Sequence, residues 1–535
     1  MSRVADTIAR ALHAAGVRHA FGMPGGEVVT LIDGLDKAGI KFVLARNETA
    51  AAMMAAGTAA QGDVPGLLVT TLGPGLGNAV NGIADAAQER NPLIVISGVV
   101  ERHIRARYTH QIVDHAAMLR PLVKASFEVE AEGAAAVVAR AVALSLTAPC
   151  GPVHLDLSPA VAAMADNDAH VAPARVHRVA AVLADDPAMA EVRALLAGAE
   201  RPLILAGLEA ARAGAGAAIR GLAERRGIPV VTTYKGKGVL DENHRLALGG
   251  AGLSPRADAI IGPLLRAADL VLCVGYDPVE MRAGWLNPFG PLTRVVELTQ
   301  QPADHGMHAA AIRLHGPLPA LVRAVAMPGM AAWAGGEPQA AKAALAQAFT
   351  GPIDFGPHAV FAALQEHLPQ GGIVAVDSGA HRILLAQMWR AKAPLEMQQS
   401  AGWCTMGSAI PLAIGNQINH PAKAVVAVLG DGGMEMTLGE LGTLRDQSLP
   451  VVVLVLQDHS LALIELKQAQ AGLARNGVRL GATRFAEIAR AFDGHGVCVV
   501  SHAALNVALL EAFARRDRFS LIACQIAGDA YAGQI

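Results

Sequence analysis

The chain has 535 residues, 53% hydrophobic and 17% charged, and its 44 Lys and Arg against 46 Asp and Glu leave a formal net charge of -2. That length exceeds one hydrophobic core and predicts about three domains. The interleaved charges offer no basic stripe for nucleic acid, and no uninterrupted apolar run reaches the roughly 18 residues that span a bilayer.

The start, Met1 to Gly16, reads as a polar-faced helix without a signal-peptide core, so the expected location is cytoplasmic. Helical segments then alternate with short apolar runs such as Gly66 to Thr70 and Pro92 to Ser97, the pattern of parallel strands buried on both faces. A stretch rich in Ala, Val and Asp from Ala162 to Asp186 reads as a connection. Strand patterns resume at Arg201 to Gly207, Ile228 to Thr233 and Leu270 to Gly275. After an Ala/Gly/Pro-rich stretch from Met327 to Ala340 they return at Gly372 to Val376, Ala424 to Leu429 and Pro450 to Leu456. The expected architecture is α/β, three units spanning residues 1–165, 185–327 and 355–535. Cys150, Cys273, Cys404, Cys498 and Cys524 are scattered without a CxxC pair, which predicts buried thiols and neither disulfides nor a zinc site; Cys404 is set apart by its place beside a motif described below.

The strongest local signal is Val426-Ala427-Val428-Leu429-Gly430-Asp431-Gly432-Gly433, an apolar strand ending in a carboxylate flanked by glycines. Asp458 follows at the end of another strand pattern. Oxygen ligands at the carboxyl ends of parallel strands lie where open α/β sheets bind ligands, and magnesium prefers such hard donors. The glycines admit a close backbone approach to an anion, toward which a helix starting near Met434 would aim its amide dipole. Asp-Gly alone is common in ordinary turns, so the spacing and strand contexts carry the signal.

From Gly430 to Gln468 the chain resembles the signature of thiamine-diphosphate enzymes. Further matches follow in family order: Phe21 to Gly26, with Pro24 and Gly25; Arg46 to Gly57, with Glu48; Thr70 to Asn78; Asp377 to His381; and Thr405 to Pro411, with Met406. The resemblance implies three doubly wound parallel-sheet domains that bind, in order, the cofactor's pyrimidine, a supporting group, and its diphosphate with Mg2+. It implies metal ligation by Asp431, Asp458 and the Ser460 carbonyl, although Gln457-Asp458 stands where the family usually has Asn-Asn. Glu48 would activate the aminopyrimidine, and Met406 would wedge the cofactor into its bent shape. Gly379 and His381 would serve the diphosphate beside Gly430, Gly432 and Gly433, with Pro24, Gly25 and Asn78 completing the binding set. Family members bind the cofactor between the first domain of one subunit and the third of its neighbour, which implies a homodimer or homotetramer.

Within that family Tyr108-Thr109-His110-Gln111-Ile112-Val113-Asp114 resembles the acetolactate synthase stretch Phe-Gln-Glu-Val-Asp, with Gln111 retained and His110 replacing the aromatic residue. This places Gln111 and His110 as catalytic candidates. Lys467 and Glu465 stand where biosynthetic acetolactate synthases have Trp and Arg, and Lys467 is a candidate for a substrate carboxylate. The central domain resembles one that holds FAD, ADP or nothing; Tyr276-Asp277-Pro278 replaces the Arg-containing turn, so FAD is not favoured. The implied activity is decarboxylation and carboligation of a 2-oxo acid, pyruvate first. The alternatives are a 2-hydroxyacyl-CoA lyase or oxalyl-CoA decarboxylase, the chain carrying no extension after its last strand to close over such a thioester, and an inactive cofactor-binding homologue.

Overall fold

The computed structural model describes residues 2–166, 186–302, 305–328, 332–351 and 354–535. They form three six-stranded sheets in which every pairing is parallel. The first holds β1 (His19–Gly22), β2 (Lys41–Leu44), β3 (Gly66–Thr70), β4 (Leu93–Gly98), β5 (Ser126–Glu128) and β6 (Pro152–Leu157), in the order β2-β1-β3-β4-β6-β5. The second holds β7 (Pro202–Ala206), β8 (Val230–Thr232), β9 (Ala247–Gly250), β10 (Leu270–Val274), β11 (Arg294–Thr299) and β12 (Ile312–His315), in the order β12-β11-β10-β7-β8-β9. The third holds β13 (Ile373–Val376), β14 (Met397–Gln399), β15 (Val425–Gly430), β16 (Val452–Gln457), β17 (His495–Val499) and β18 (Ser520–Gln525), in the order β14-β13-β15-β16-β18-β17.

The third sheet therefore repeats the wiring of the first. The central strands β3, β4, β7, β10 and β16 are buried along their whole length, which is why they read as continuous apolar runs without alternation. Each sheet has a switch in strand order near its middle, between β1 and β3, β7 and β10, and β13 and β15. Crevices outside the carboxyl ends of strands at such points are where doubly wound sheets bind ligands. The loops that follow β1, β3 and β13 carry Pro24 and Gly25, Gly73, and Gly379 respectively, and β15 ends at Gly430 with a helix opening directly at Asp431.

The first and third units pack through two helices, Glu48–Thr58 and Ala409–Asn419. Their contact is made by small residues: a Cβ on Gly57 would lie 2.8 Å from the Leu412 carbonyl oxygen, and one on Gly415 only 2.1 Å from that of Met54. At the junction of all three units Glu89 takes the Lys235 ammonium at 2.5 Å and the amide N–H of Gly402 at 2.6 Å. This buried pair fixes the loop that leads to Met406.

Most of the connecting stretch from Ala162 to Asp186 lies outside the described residues; in the second such stretch the helix Glu337–Ala348 already begins. Only Cys273 and Cys524 are the buried thiols the sequence suggested. Cys404 is exposed on a loop with φ +61°, and Cys498 is exposed on the edge strand β17. Among the described residues no helix is long and apolar enough to cross a membrane.

Candidate functional site

At the switch point of the third sheet lies a cavity of about 220 Å³. Gly379, His381, Met406, Gly430, Asp431, Gly432, Gly433, Asp458 and Ser460 all line it, so every cofactor and metal residue expected from the third unit is brought to one place. The glycines are there because neighbours stand too close for a side chain. A Cβ on Gly433 would sit 1.9 Å from Asp377 Oδ2, and one on Gly432 2.8 Å from Leu461. The helix after β15 begins at Asp431, earlier than the expected Met434, because Gly432 and Gly433 adopt helical backbone and form its first turn.

Asp431 and Asp458 are both buried, and among the described residues neither forms an ion pair with a Lys or Arg. Asp431 Oδ1 accepts the Gly432 N–H at 2.9 Å and Oδ2 accepts the His459 N–H at 2.6 Å; Asp458 Oδ1 accepts the Ser460 N–H at 3.1 Å. Burial raises the Asp431 carboxyl above its ordinary range. Burial, with the Asp431 charge next, pushes Asp458 up to about 7. Two desolvated carboxylates facing one cavity without a balancing cation are arranged for a divalent metal. His381, buried in the same wall, is pushed down to about 3 by burial and the neighbouring Arg382. Its Nε2 and the Ser378 Oγ are buried without a hydrogen-bond partner. Orphaned polar atoms in a cavity wall call for a ligand that completes them.

The Met406 loop is held by Asp377, which the motif contained without indicating its part. One Asp377 oxygen accepts the Gly407 N–H at 3.0 Å; the other accepts the Ser408 N–H at 2.9 Å and the Ser408 hydroxyl at 3.0 Å. Tyr531, from the last residues of the chain, also lines the cavity, and no sequence signal pointed to it. Lys467 is exposed and outside the cavity lining, whereas Glu465 turns inward: it accepts the Ser460 hydroxyl and pairs with Arg475 and Arg479.

The residues expected from the first unit assemble separately. Glu48 opens its helix behind the N-cap Asn47 and is buried at 6% exposure. Asn78 Nδ2 donates to Glu48 Oε2 at 3.1 Å, and a Cβ on Gly75 would lie 3.4 Å from Oε1. Gly25, next to Pro24, packs on Thr71, whose hydroxyl donates to Glu27 at 2.5 Å. Gln111, with φ +58°, lines a second cavity of about 320 Å³ beside Arg105, Asp114 and His115. His110 lies outside that lining, exposed and edge-on to Tyr108. Neither Glu48 nor Gln111 reaches the cavity that holds Asp431 and Met406.

Two His–carboxylate groups lie elsewhere. Around Glu297, His305 Nδ1 accepts the Met307 N–H, leaving Nε2 to donate to Glu297 at 3.1 Å, while Arg313 takes the other oxygen at 2.8 Å. This is a charge network in which the His305 lone pair is already used, with His308 Nε2 3.0 Å from the same Glu297 oxygen. The second is formed by His115, His154 and Asp156.

Comparison with known proteins agrees with this layout. Residues 2–118 match the thiamine pyrophosphate enzyme N-terminal TPP binding domain, 189–325 its central domain and 377–524 its C-terminal TPP binding domain. The acetolactate synthase large subunit of Parasynechococcus marenigrum is 32% identical, the match covering 93% of this chain and 83% of that protein. The acetolactate synthase of Bacillus subtilis is 28% identical over 94% and 89%, and the isozyme 2 large subunit of Escherichia coli 29% over 86% and 84%. The chain thus belongs to the thiamine pyrophosphate enzymes, and among them to the acetolactate-synthase-like enzymes.

Proposed function

We propose that the protein decarboxylates a 2-oxo acid, pyruvate in the first place, and joins the resulting fragment to a second carbonyl compound, using thiamine diphosphate and Mg2+ at sites shared between two copies of the chain. The observation that carries this reading is the pair of cation-free carboxylates Asp431 and Asp458 in one cavity with the orphaned His381 Nε2 and Ser378 Oγ. Metal, phosphate and an apolar ring all find matching partners there.

Thiamine diphosphate, when bound, supplies a ring carbon that adds to the 2-oxo carbonyl and takes up the electrons released as carbon dioxide leaves. Asp431, Asp458 and the Ser460 carbonyl would hold Mg2+, and His381 and Ser378 would donate to the diphosphate. Gly379, Gly430, Gly432 and Gly433 let the backbone come close to the anion. Met406 supplies apolar bulk against the rings. Glu48, kept from water and oriented by Asn78, would hold a proton toward the pyrimidine ring when the cofactor is bound. Pro24 and Gly25 shape the adjoining turn, and Gln111 orients the acceptor. Glu48 and Asp431 occupy separate places in one chain, which supports completion of each site by a second copy. His110 and Lys467, both exposed in the single chain, have a part only if that copy covers them.

FAD is not favoured in the central unit. At its switch point the turns after β7 and β10 meet directly: a Cβ on Gly207 would be 2.4 Å from the Gly275 carbonyl oxygen, and one on Gly275 2.3 Å from the Ala210 nitrogen. Glu209, raised to about 7 by burial, accepts the Gln300 N–H at 3.0 Å beside these turns.

The test is a product assay with pyruvate, Mg2+ and thiamine diphosphate, resolving acetolactate, acetoin and acetaldehyde by mass. Acetolactate is the expected product. Turnover of acyl-CoA substrates alone would replace this reading with the lyase.

A further inference from the structure

The loop that carries Gln111 is tied to the first sheet through two residues far apart in sequence. Gln111 holds a left-handed backbone, φ +58°, which a residue with a Cβ adopts only when its surroundings enforce it. Its carbonyl and Cβ lie against Gly73: a Cβ there would be 2.6 Å from the Gln111 oxygen and 3.2 Å from its Cβ. Gly73, itself at φ +51°, donates its N–H to His115 Nε2 at 3.3 Å. His115 Nδ1–H donates to Asp156 Oδ1 at 2.7 Å, and Asp156 sits on β6, paired with β4 and β5.

These contacts fix one tautomer of His115, protonated on Nδ1 and accepting at Nε2. The imidazole is 4% exposed, held between the Gly73 turn and β6. Neighbouring His154, pushed down to about 4 by burial, hydrogen-bonds Ser126 and Ser97 and lies 3.5 Å from the same Asp156 oxygen, which is the longer contact beside the 2.7 Å bond from His115. The turn that His115 holds also continues into Asn78, the partner of Glu48.

We infer that His115, oriented by Asp156, is a positioning residue that sets the Gly73 turn and thereby the place of Gln111, so that it governs capture of the acceptor without touching substrate. This rests on the proposed role of Gln111. Asn at position 115 keeps a donor toward Asp156 but loses the acceptor for Gly73; Gln extends its carbonyl to where Nε2 stands and keeps it. Asp156→Asn, of equal volume, offers an N–H to Nδ1 and reverses the tautomer, as in a misoriented catalytic triad.

The experiment compares His115→Asn, His115→Gln, Asp156→Asn and Gln111→Ala in the full-length protein. The inference expects His115→Asn and Asp156→Asn to lower kcat for carboligation at least about tenfold while KM for pyruvate and thiamine diphosphate affinity stay within about threefold. His115→Gln should stay within about threefold of the unmodified protein. In the cofactor-free protein the Gly73 amide should exchange with deuterium at least about tenfold faster in His115→Asn than in His115→Gln. Equal rates and equal exchange in all three His115 and Asp156 variants overturn the inference, as does a parallel fall of activity and melting temperature in Asn and Gln alike. If Gln111→Ala itself leaves carboligation unchanged, the role of Gln111 fails, and the inference with it.

Discussion

In the metal-free protein Asp458 holds its proton up to about pH 7, because burial and the Asp431 charge both oppose ionisation. A divalent ion binds the carboxylate, so protons and metal compete for it. With a midpoint about 7, about nine-tenths of the sites are protonated at pH 6 and about one-tenth at pH 8, and apparent Mg2+ affinity should fall about tenfold between pH 8 and pH 6. The sign for stability follows from the same shift: a carboxyl raised above its unfolded value makes the metal-free fold lose stability as pH rises from about 4 to 7, and Mg2+ restores it. Asp458→Asn removes the titrating group and keeps an oxygen ligand. Calorimetric titration of Mg2+ at saturating thiamine diphosphate, at both pH values in both proteins, isolates the residue, since the cofactor's own ionisation contributes equally to each. The unmodified protein should show the steeper dependence, by about tenfold. Identical slopes would refute the assignment of Asp458 as a ligand that must ionise.

Three further outcomes follow from the geometry. Glu48→Gln should leave thiamine diphosphate affinity within about fivefold but slow deuterium exchange at the thiazolium carbon at least about a hundredfold, read by quenched-flow NMR. Asp377→Ala strands the buried Gly407 and Ser408 amides and should cost about 3 kcal/mol of stability, lowering both the melting temperature and cofactor affinity. The protein as purified should show no flavin absorption, and added FAD should neither bind nor alter turnover.

Much of the third unit was legible because its chemistry is concentrated: a buried strand ends in Gly430 to Gly433 and the next in Asp458, so strand pattern and ligand chemistry coincide. Glu48 was legible only through the whole segment from Arg46 to Gly57, since a single Glu in a helix is ordinarily a solvated charge. His115 and Asp156 were not, because their meaning comes from a contact 41 positions apart across the sheet. Tyr531 carries no motif and reaches the cavity through the path of the chain's last turns. Lys467 and Glu465 show the limit of reading by position: two residues apart on the helix Ala462–Gln470, one faces solvent and the other the Ser460 hydroxyl.

The most direct test of a site built from two chains is subunit complementation. Glu48→Gln and Asp431→Asn variants, each inactive alone, are dissociated, mixed in equal amounts and reassociated, and acetolactate formation is measured with thiamine diphosphate and Mg2+. If one chain contributes Glu48 and its partner Asp431, half of the random dimers are mixed and each holds one intact site, so activity should return to about a quarter of the unmodified level. A mixture that stays inactive while native mass spectrometry of one isotope-labelled variant with the other unlabelled shows mixed dimers would mean that both residues act within one chain, contradicting the shared site.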